Sequence, residues 1–275
     1  MKMPLLATGL ALLLAGSPGA AAERPASPGI LLEDLSWVEA EKALKPETVV
    51  VIPIGAESKE HGPHLKLKND WILAQYLRDR VRARASVVIA PTVNYHFYPA
   101  FVEYPGSTSL RLETARDLVV DICRGLARFG PRRFYVLNTG VSTVRALAPA
   151  ADLLAADGIL LRYTDLIKAL EPIERDVCQQ EGGTHADEVE TSMLLYISPS
   201  DVDMSKAAKD YHPGKGGLTR DPKKEGLTYS PTGVFGDPTL ATKEKGRRVT
   251  EALVDAIVSE IEDLRKAEPP PAPPR

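Results

Sequence analysis

The sequence predicts an α/β fold, with a mainly parallel sheet, helices on both faces and a single domain. Apolar, β-branched runs of strand length alternate along the chain with amphipathic stretches of helix length. The 275 residues, 44% of them hydrophobic, are enough for one large core. No internal repeat or interior linker divides the sequence, so we expect residues 48–266 to form one domain.

Strands are predicted where apolar runs are short and continuous, as is typical of strands covered on both faces. These runs are residues 48–54, 86–90, 134–137 and 158–161. Apolar residues at helical spacing predict helices that start at Asp70 and near residue 118, and further helices over 144–156, 188–197 and 249–264. A long Gly/Pro-rich loop, residues 211–238, is expected to cover a site or a subunit contact.

The N-terminal segment has the three-part pattern of a secretory signal peptide. Lys2 precedes an apolar run at residues 5–15, and three alanines at 20–22 follow. Removal of residues 1–22 predicts a periplasmic or secreted protein with an N-terminal lead at residues 23–47. A buried N-terminal helix would leave the alanines unexplained. The proline-rich residues 267–275 are expected to be a disordered tail.

Composition excludes several classes of partner and fold. The 34 Lys and Arg against 37 Asp and Glu give a net charge of −3, so no basic surface is expected for nucleic acid or for an anionic membrane. Two cysteines are too few for a disulfide-rich scaffold or a four-cysteine zinc site. Cys123 and Cys178 are both present in a chain expected to be exported, and the sequence leaves open whether they pair.

Polar residues collect between 55 and 70, directly after the first predicted strand, where open α/β sheets build their sites. This window holds two histidines and three acids: Glu57, Glu60, His61, His64 and Asp70. Imidazole nitrogens and carboxylate oxygens are ligands for zinc and manganese. An ordinary polar surface loop also explains these residues, so the window alone leaves both interpretations open.

A second window, residues 184–192, places His185, Glu188 and Glu190 at the start of a predicted helix. These groups suit a metal shell or a general acid or base. Acids are also favoured in the first helical turn by the helix dipole, and this plainer explanation suffices for the window alone. His96 follows the second predicted strand, where it would line a pocket or simply belong to a turn.

Together the two windows resemble the creatininase (creatinine amidohydrolase) family. The resemblance starts with residues 52–55 (IPIG), 60–65 (EHGPHL) and Asp70. It continues in the family's order through residues 104–110, 112–114, 185–186, 190–192, 233–239 and 241–242, and covers roughly residues 49–253. It implies an α/β fold, a homo-oligomer, and a divalent metal centre, Zn or Mn, that activates water against the C–N bond of a small-molecule amide.

The resemblance also implies roles for individual residues. His61, Asp70 and Glu190 match metal-binding positions, and His185 matches a histidine close to the substrate that donates a proton. Glu60 is the second predicted catalytic residue, and His64 and His96 are the predicted substrate-binding residues. Because Asn caps a helix about as well as Asp, Asp70→Asn is expected to keep the fold and lose the metal.

Two positions depart from the family pattern. Lys59 stands where a ligand Glu is usual, and Gly140 stands where a metal-binding His is usual. One metal site is therefore expected, and Glu57 or Glu60 would have to replace the missing carboxylate for a second. The sequence predicts a metal-dependent amidohydrolase acting on a small amide, cyclic or linear.

The alternative is a non-catalytic periplasmic binding or scaffold protein on the same fold. Convergence of His61, Asp70 and Glu190, with Lys59 pointing elsewhere, would favour catalysis. Lys59 filling that space would favour the scaffold.

Overall fold

A computed structural model describes residues 28–272. The predicted signal peptide and its cleavage point lie outside these residues. Within 28–272, no helix is both long and apolar enough to cross a membrane. Cys123 and Cys178 are free thiols.

The central sheet has five strands, all parallel, which confirms the predicted fold class. The strands are β1 (Ile30–Leu31), β2 (Val49–Ile54), β3 (Val88–Ile89), β4 (Arg133–Asn138) and β5 (Leu160–Tyr163), in the order β1-β3-β2-β4-β5. β2 and β4 lie side by side at the centre, in register from Val49 opposite Arg133 to Ile54 opposite Asn138. Both are buried nearly throughout, as their continuous apolar runs predict.

Within residues 28–272, seven α-helices cover the two faces of the sheet. They are α1 (Trp37–Ala43), α2 (Asn69–Arg84), α3 (Leu112–Ala127), α4 (Val144–Ala156), α5 (Leu166–Val177), α6 (Glu188–Ile197) and α7 (Lys243–Lys266). Successive residues of β2 point to opposite faces. Val49 and Val51 join the core under α2, α5, α6 and α7, whereas Val50 and Ile52 join the core under α3 and α4.

Some elements were not predicted. The two-residue β1 and the short α1 give too little periodic signal, and Pro172 lies inside α5, where a proline argues against a helix. The long loop contains a small parallel pair, β6 (Leu218–Thr219) and β7 (Thr228–Tyr229).

The tail runs without helix or strand to Ala272, which lies against Gly158. The predicted domain boundaries and the disorder of residues 267–275 stay predictions.

Candidate active site

The candidate site is a cavity of about 240 Å³ beyond the carboxyl ends of β2 and β4. Charged groups lie on one side of it, in Lys59, His185 and Glu190, and the aromatic rings of Phe101 and Phe235 also line it. The long loop contributes Gly214, Gly216, Leu218 and Thr228. This loop therefore covers the site, one of the two positions expected for it from the sequence.

His185 and Glu60 form a buried pair. Nε2 of His185 lies 2.8 Å from Oε1 of Glu60 and 3.0 Å from the backbone oxygen of the same residue. Burial lowers the pKa of His185, but the charge and hydrogen bond of Glu60 and the charge of Glu190 together outweigh it and leave this pKa above its ordinary value. Burial likewise raises the pKa of Glu60, and His185 more than reverses that shift. The pair therefore favours an imidazolium next to a carboxylate.

The short motifs that carry the resemblance hold this pair in place. Gly233 has a left-handed φ of +84°, and a Cβ on it would lie 2.2 Å from Oε2 of Glu60, so only glycine leaves room for the carboxylate. The backbone N–H of Glu60 donates to Oγ of Ser107 at 2.9 Å. The backbone N–H of Phe235 donates to the carbonyl of His185 at 2.8 Å. Residues 104–110 and 233–239 thus act as supports for Glu60 and His185.

His61 and Asp70 also meet, as predicted from the sequence. Nδ1 of His61 is 3.0 Å from the carbonyl of Lys59 and is assigned as the donor there, which leaves a lone pair on Nε2 of the neutral ring. This Nε2 lies 2.7 Å from Oδ1 of Asp70. Two acceptor atoms at that distance require a shared positive charge, either a proton or a metal ion.

Lys59 points at Asp70. Its ammonium lies 2.7 Å from Oδ2 of Asp70, and the residue is only 3% exposed. Burial lowers the pKa of Lys59, but the charges of Asp70, Glu190 and Glu60 leave it above its ordinary value. Burial raises the pKa of Asp70, and Lys59 and His61 hold it well below its ordinary range. Lys59 therefore takes the position that favours the scaffold alternative.

The remaining donors still fit one metal ion. His61, His185 and Glu190 each offer a ligand atom, and these atoms lie within 4.8 Å of one another. Asp70 was expected in this group, but His185 occupies that place; the oxygens of Asp70 lie instead against Nε2 of His61 and the ammonium of Lys59.

The formal charge of the site also suits one divalent ion. A bound ion would take the place of the Nδ1 proton of His185 and leave that ring neutral. With neutral imidazoles, the three carboxylates of Glu60, Asp70 and Glu190 exceed the single ammonium by two charges, which one divalent ion would neutralise.

Among residues 28–272, no second group of three donors converges beside this one. No imidazole extends from position 140, and a Cβ on Gly140 would lie 3.1 Å from the ring of Tyr98. Neither acid suggested as a replacement ligand reaches Asp70. Glu60 is bound to His185, and Glu57 is exposed and accepts a hydrogen bond from Asn94 at 3.0 Å.

Glu190 is held by a strained turn. Its Oε2 accepts a hydrogen bond of 2.6 Å from the backbone N–H of Ala186 and lies 3.6 Å from Nδ1 of His185. Ala186 has a φ of +49°, and among residues 28–272 no other non-glycine residue has a positive φ. Such backbone strain clusters at functional sites. Asp187 caps α6, and burial together with the charge of Glu190 raises its pKa to about 7.

The two predicted substrate-binding histidines lie away from the cavity wall. Nε2 of His64 is 2.8 Å from Oγ1 of Thr191, and His96 is fully buried with no hydrogen bond to either ring nitrogen. Burial lowers the pKa of each to about 4. Both rings are buried and neither lines this cavity, so their role in substrate binding stays a prediction.

Phe101 was not predicted for the site. Its ring lies 4.1 Å from that of His185, and the ammonium of Lys59 is 4.8 Å from its centre. The only signal in the sequence is the density of aromatic residues between 95 and 104.

Comparisons with known proteins agree with the motifs. The family described as "Creatininase: Creatinine amidohydrolase" matches residues 33–261. A "Mycofactocin precursor peptide peptidase" of Mycobacterium tuberculosis is 31% identical over 228 residues, which cover 77% of this chain and 84% of that protein. The "Creatinine amidohydrolase" of Pseudomonas putida is 26% identical, covering 86% of this chain and 98% of that protein.

The fold agrees as well. A solved structure described as "Creatininase Mn" superposes with a TM-score of 0.71 at 24% identity, covering 86% of this chain and 98% of that one. The match over residues 33–261 includes strands β2 to β5 and the segments that carry Glu60, His61, Asp70, His185 and Glu190. The chain therefore belongs to the creatininase family of hydrolases acting on C–N bonds.

Proposed function

We propose that this protein hydrolyses a C–N amide bond of a small polar molecule, cyclic or linear, bound in the cavity beside His185, and that one divalent ion, zinc or manganese, assists. The observation that carries the proposal is the convergence of His61, His185 and Glu190 within 4.8 Å at a cavity wall. Relatives named as an amidohydrolase and as a peptidase support the class of bond.

His61, His185 and Glu190 would hold the ion. When bound, it would lower the pKa of a water molecule and polarise the amide carbonyl. Hydrolysis adds the water oxygen to the carbonyl carbon, breaks the C–N bond and moves one water proton to the leaving nitrogen.

The other residues orient these groups. Glu60 accepts the Nε2 proton of His185, which fixes the imidazole with Nδ1 towards Glu190. Phe101 stacks on the same ring and limits its rotation. The glycines of the long loop bring backbone close to the cavity and enclose the substrate.

The experiment measures metal content and hydrolysis together. The purified protein is stripped with a chelator, reloaded with Zn²⁺ or Mn²⁺, and assayed against creatinine, other cyclic amides, linear amides and short peptides. Glu190→Gln should lose the metal and the activity. Glu57→Gln is the control, because this exposed carboxylate, on the loop that carries His61, is bound to Asn94 instead of the donors. A folded wild-type protein that binds neither metal and cleaves no amide would overturn the proposal.

The scaffold alternative remains a second candidate, because Lys59 is paired with Asp70. It predicts that an amide binds in calorimetry without turnover, and that metal and chelator leave the affinity unchanged.

Export of the mature chain from Glu23 and homo-oligomer formation are also proposals. They rest on the leader pattern and on the family resemblance, respectively. Mass spectrometry of the N-terminus and light scattering of the mature protein test them.

A further inference from the structure

Lys59 differs from the other lysines of its loop. It is buried, whereas Lys66 and Lys68 are exposed. Among the described residues, Asp70 is the one acid within ion-pair distance of its ammonium. Burying an ammonium is unfavourable unless a partner compensates its charge, so a lysine without such a partner would turn towards the solvent. This position is therefore built to hold a positive charge.

Aromatic rings complete the surroundings of the ammonium. Its nitrogen lies 4.8 Å from the centre of the Phe101 ring and 5.5 Å from that of Tyr98, within the range of cation–π attraction. Tyr98 also fills the space beside Gly140, where a larger side chain would clash. The chain thus replaces metal-binding donors at this place with a lysine and a ring that packs on it.

Lys59 also lines the substrate cavity, together with His185 and Glu190. An ammonium has three N–H donors, and rings satisfy them only weakly, so Asp70 leaves donor capacity for a ligand. Positive charge in a water-poor site stabilises an oxygen that becomes negative during reaction far better than the same charge in water.

We propose that the Lys59 ammonium is a built-in cation of this site, which replaces a second metal ion and donates a hydrogen bond to the substrate carbonyl oxygen. The inference rests on the proposed function, since it assigns the group that contacts the scissile amide. It makes Lys59 a catalytic residue and limits the site to one divalent ion.

The test separates charge from catalysis by measuring metal affinity and activity independently. Lys59→Met keeps the length of the side chain and removes the charge. Because a positive charge near the donors repels a divalent ion, its removal should tighten Zn²⁺ binding about tenfold or more, measured by competition with a chromophoric chelator. The same variant should lose about 100-fold or more in kcat/KM, because the donor to the carbonyl oxygen is gone.

Lys66→Met is the matched control, and it should leave both quantities within about twofold, since exposed charges are screened. If Lys59→Met does not fold, Lys59→Gln serves, because it keeps a neutral donor beside Asp70, and the same directions are expected.

Weaker or unchanged Zn²⁺ affinity in a folded variant would overturn the built-in cation, and unchanged kcat/KM would overturn the contact with substrate. Either result with an active, metal-binding wild type leaves the proposed function intact. A wild type without metal or activity overturns both.

Discussion

Replacing Gly233 by alanine tests the support of the Glu60–His185 pair. Gly233→Ala should lower the free energy of unfolding through two contributions. An L side chain in left-handed backbone costs about 1–2 kcal/mol. The new Cβ would lie 2.2 Å from Oε2 of Glu60, so the carboxylate has to move, and a lost hydrogen bond between charged groups costs about 1.5–3 kcal/mol. The expected loss is about 2.5–5 kcal/mol.

Gly226→Ala is the matched control. Gly226 has a φ of +74°, but its added Cβ would meet no atom within 4 Å, so only the backbone contribution applies. The losses in the free energy of unfolding of the two variants, measured by urea denaturation in chelator, should therefore differ by about 1.5–3 kcal/mol. Since Glu60 holds the pKa of His185 up against burial, NMR titration should show this pKa falling in Gly233→Ala alone. Equal losses in the two variants, with an unchanged His185 pKa, would refute the reasoning.

Four further substitutions probe the packing of the fold and the charges of the site. Burial lowers the pKa of His96 to about 4, so the folded protein keeps this ring neutral. The stability that depends on the neutral ring is complete above the unfolded-state pKa near 6.5 and is lost as the pH falls towards 4. His96→Leu should remove about 3 kcal/mol of that acid sensitivity, measured by urea denaturation at pH 7 and pH 4; an unchanged slope would contradict it. Gly246→Ala places a Cβ 1.8 Å from a carbonyl oxygen of α6 and should lower the free energy of unfolding by about 3 kcal/mol or more. Gly125→Ala, in α3, where the added Cβ meets open space, should instead raise the free energy of unfolding by about 0.5–1 kcal/mol. Similar thermal midpoints for Gly246→Ala and Gly125→Ala would contradict the close contact between α7 and α6. Asp70→Asn leaves the buried ammonium of Lys59 without a charge partner, so we expect a loss of about 3–5 kcal/mol in chelator rather than the normal stability predicted from capping; an unshifted melting curve would restore the simpler view.

The fold was predictable because its central strands are covered on both faces. Continuous apolar runs mark β2 and β4, and periodic apolar residues mark α4 and α6 with the observed bounds. Elements with little repetition, such as β1, carry too few residues for a pattern to appear.

The site was predictable only in part. His61 and Asp70 are nine positions apart, so one loop and one helix start bring them together. The direction of Lys59 and the burial of His96 depend instead on how distant segments pack. Asp70 was assigned as a helix cap, but α2 begins one residue earlier, at Asn69, and its cap position is Lys68. The Asp70 carboxylate is thereby free to turn inward to Lys59.

The contact between Glu60 and His185 joins residues 125 positions apart. The backbone N–H of Phe235, further along the chain, must also be in place to donate to the carbonyl of His185. Contacts of such long sequence separation form late in folding, because the entropy of closing the loop is lost before the contact is gained. A growing chain therefore has no ordered set of donors until nearly all of it has been made. For the one-ion site proposed above, loading would then follow folding, and the compartment in which the finished chain folds would decide which ion it meets.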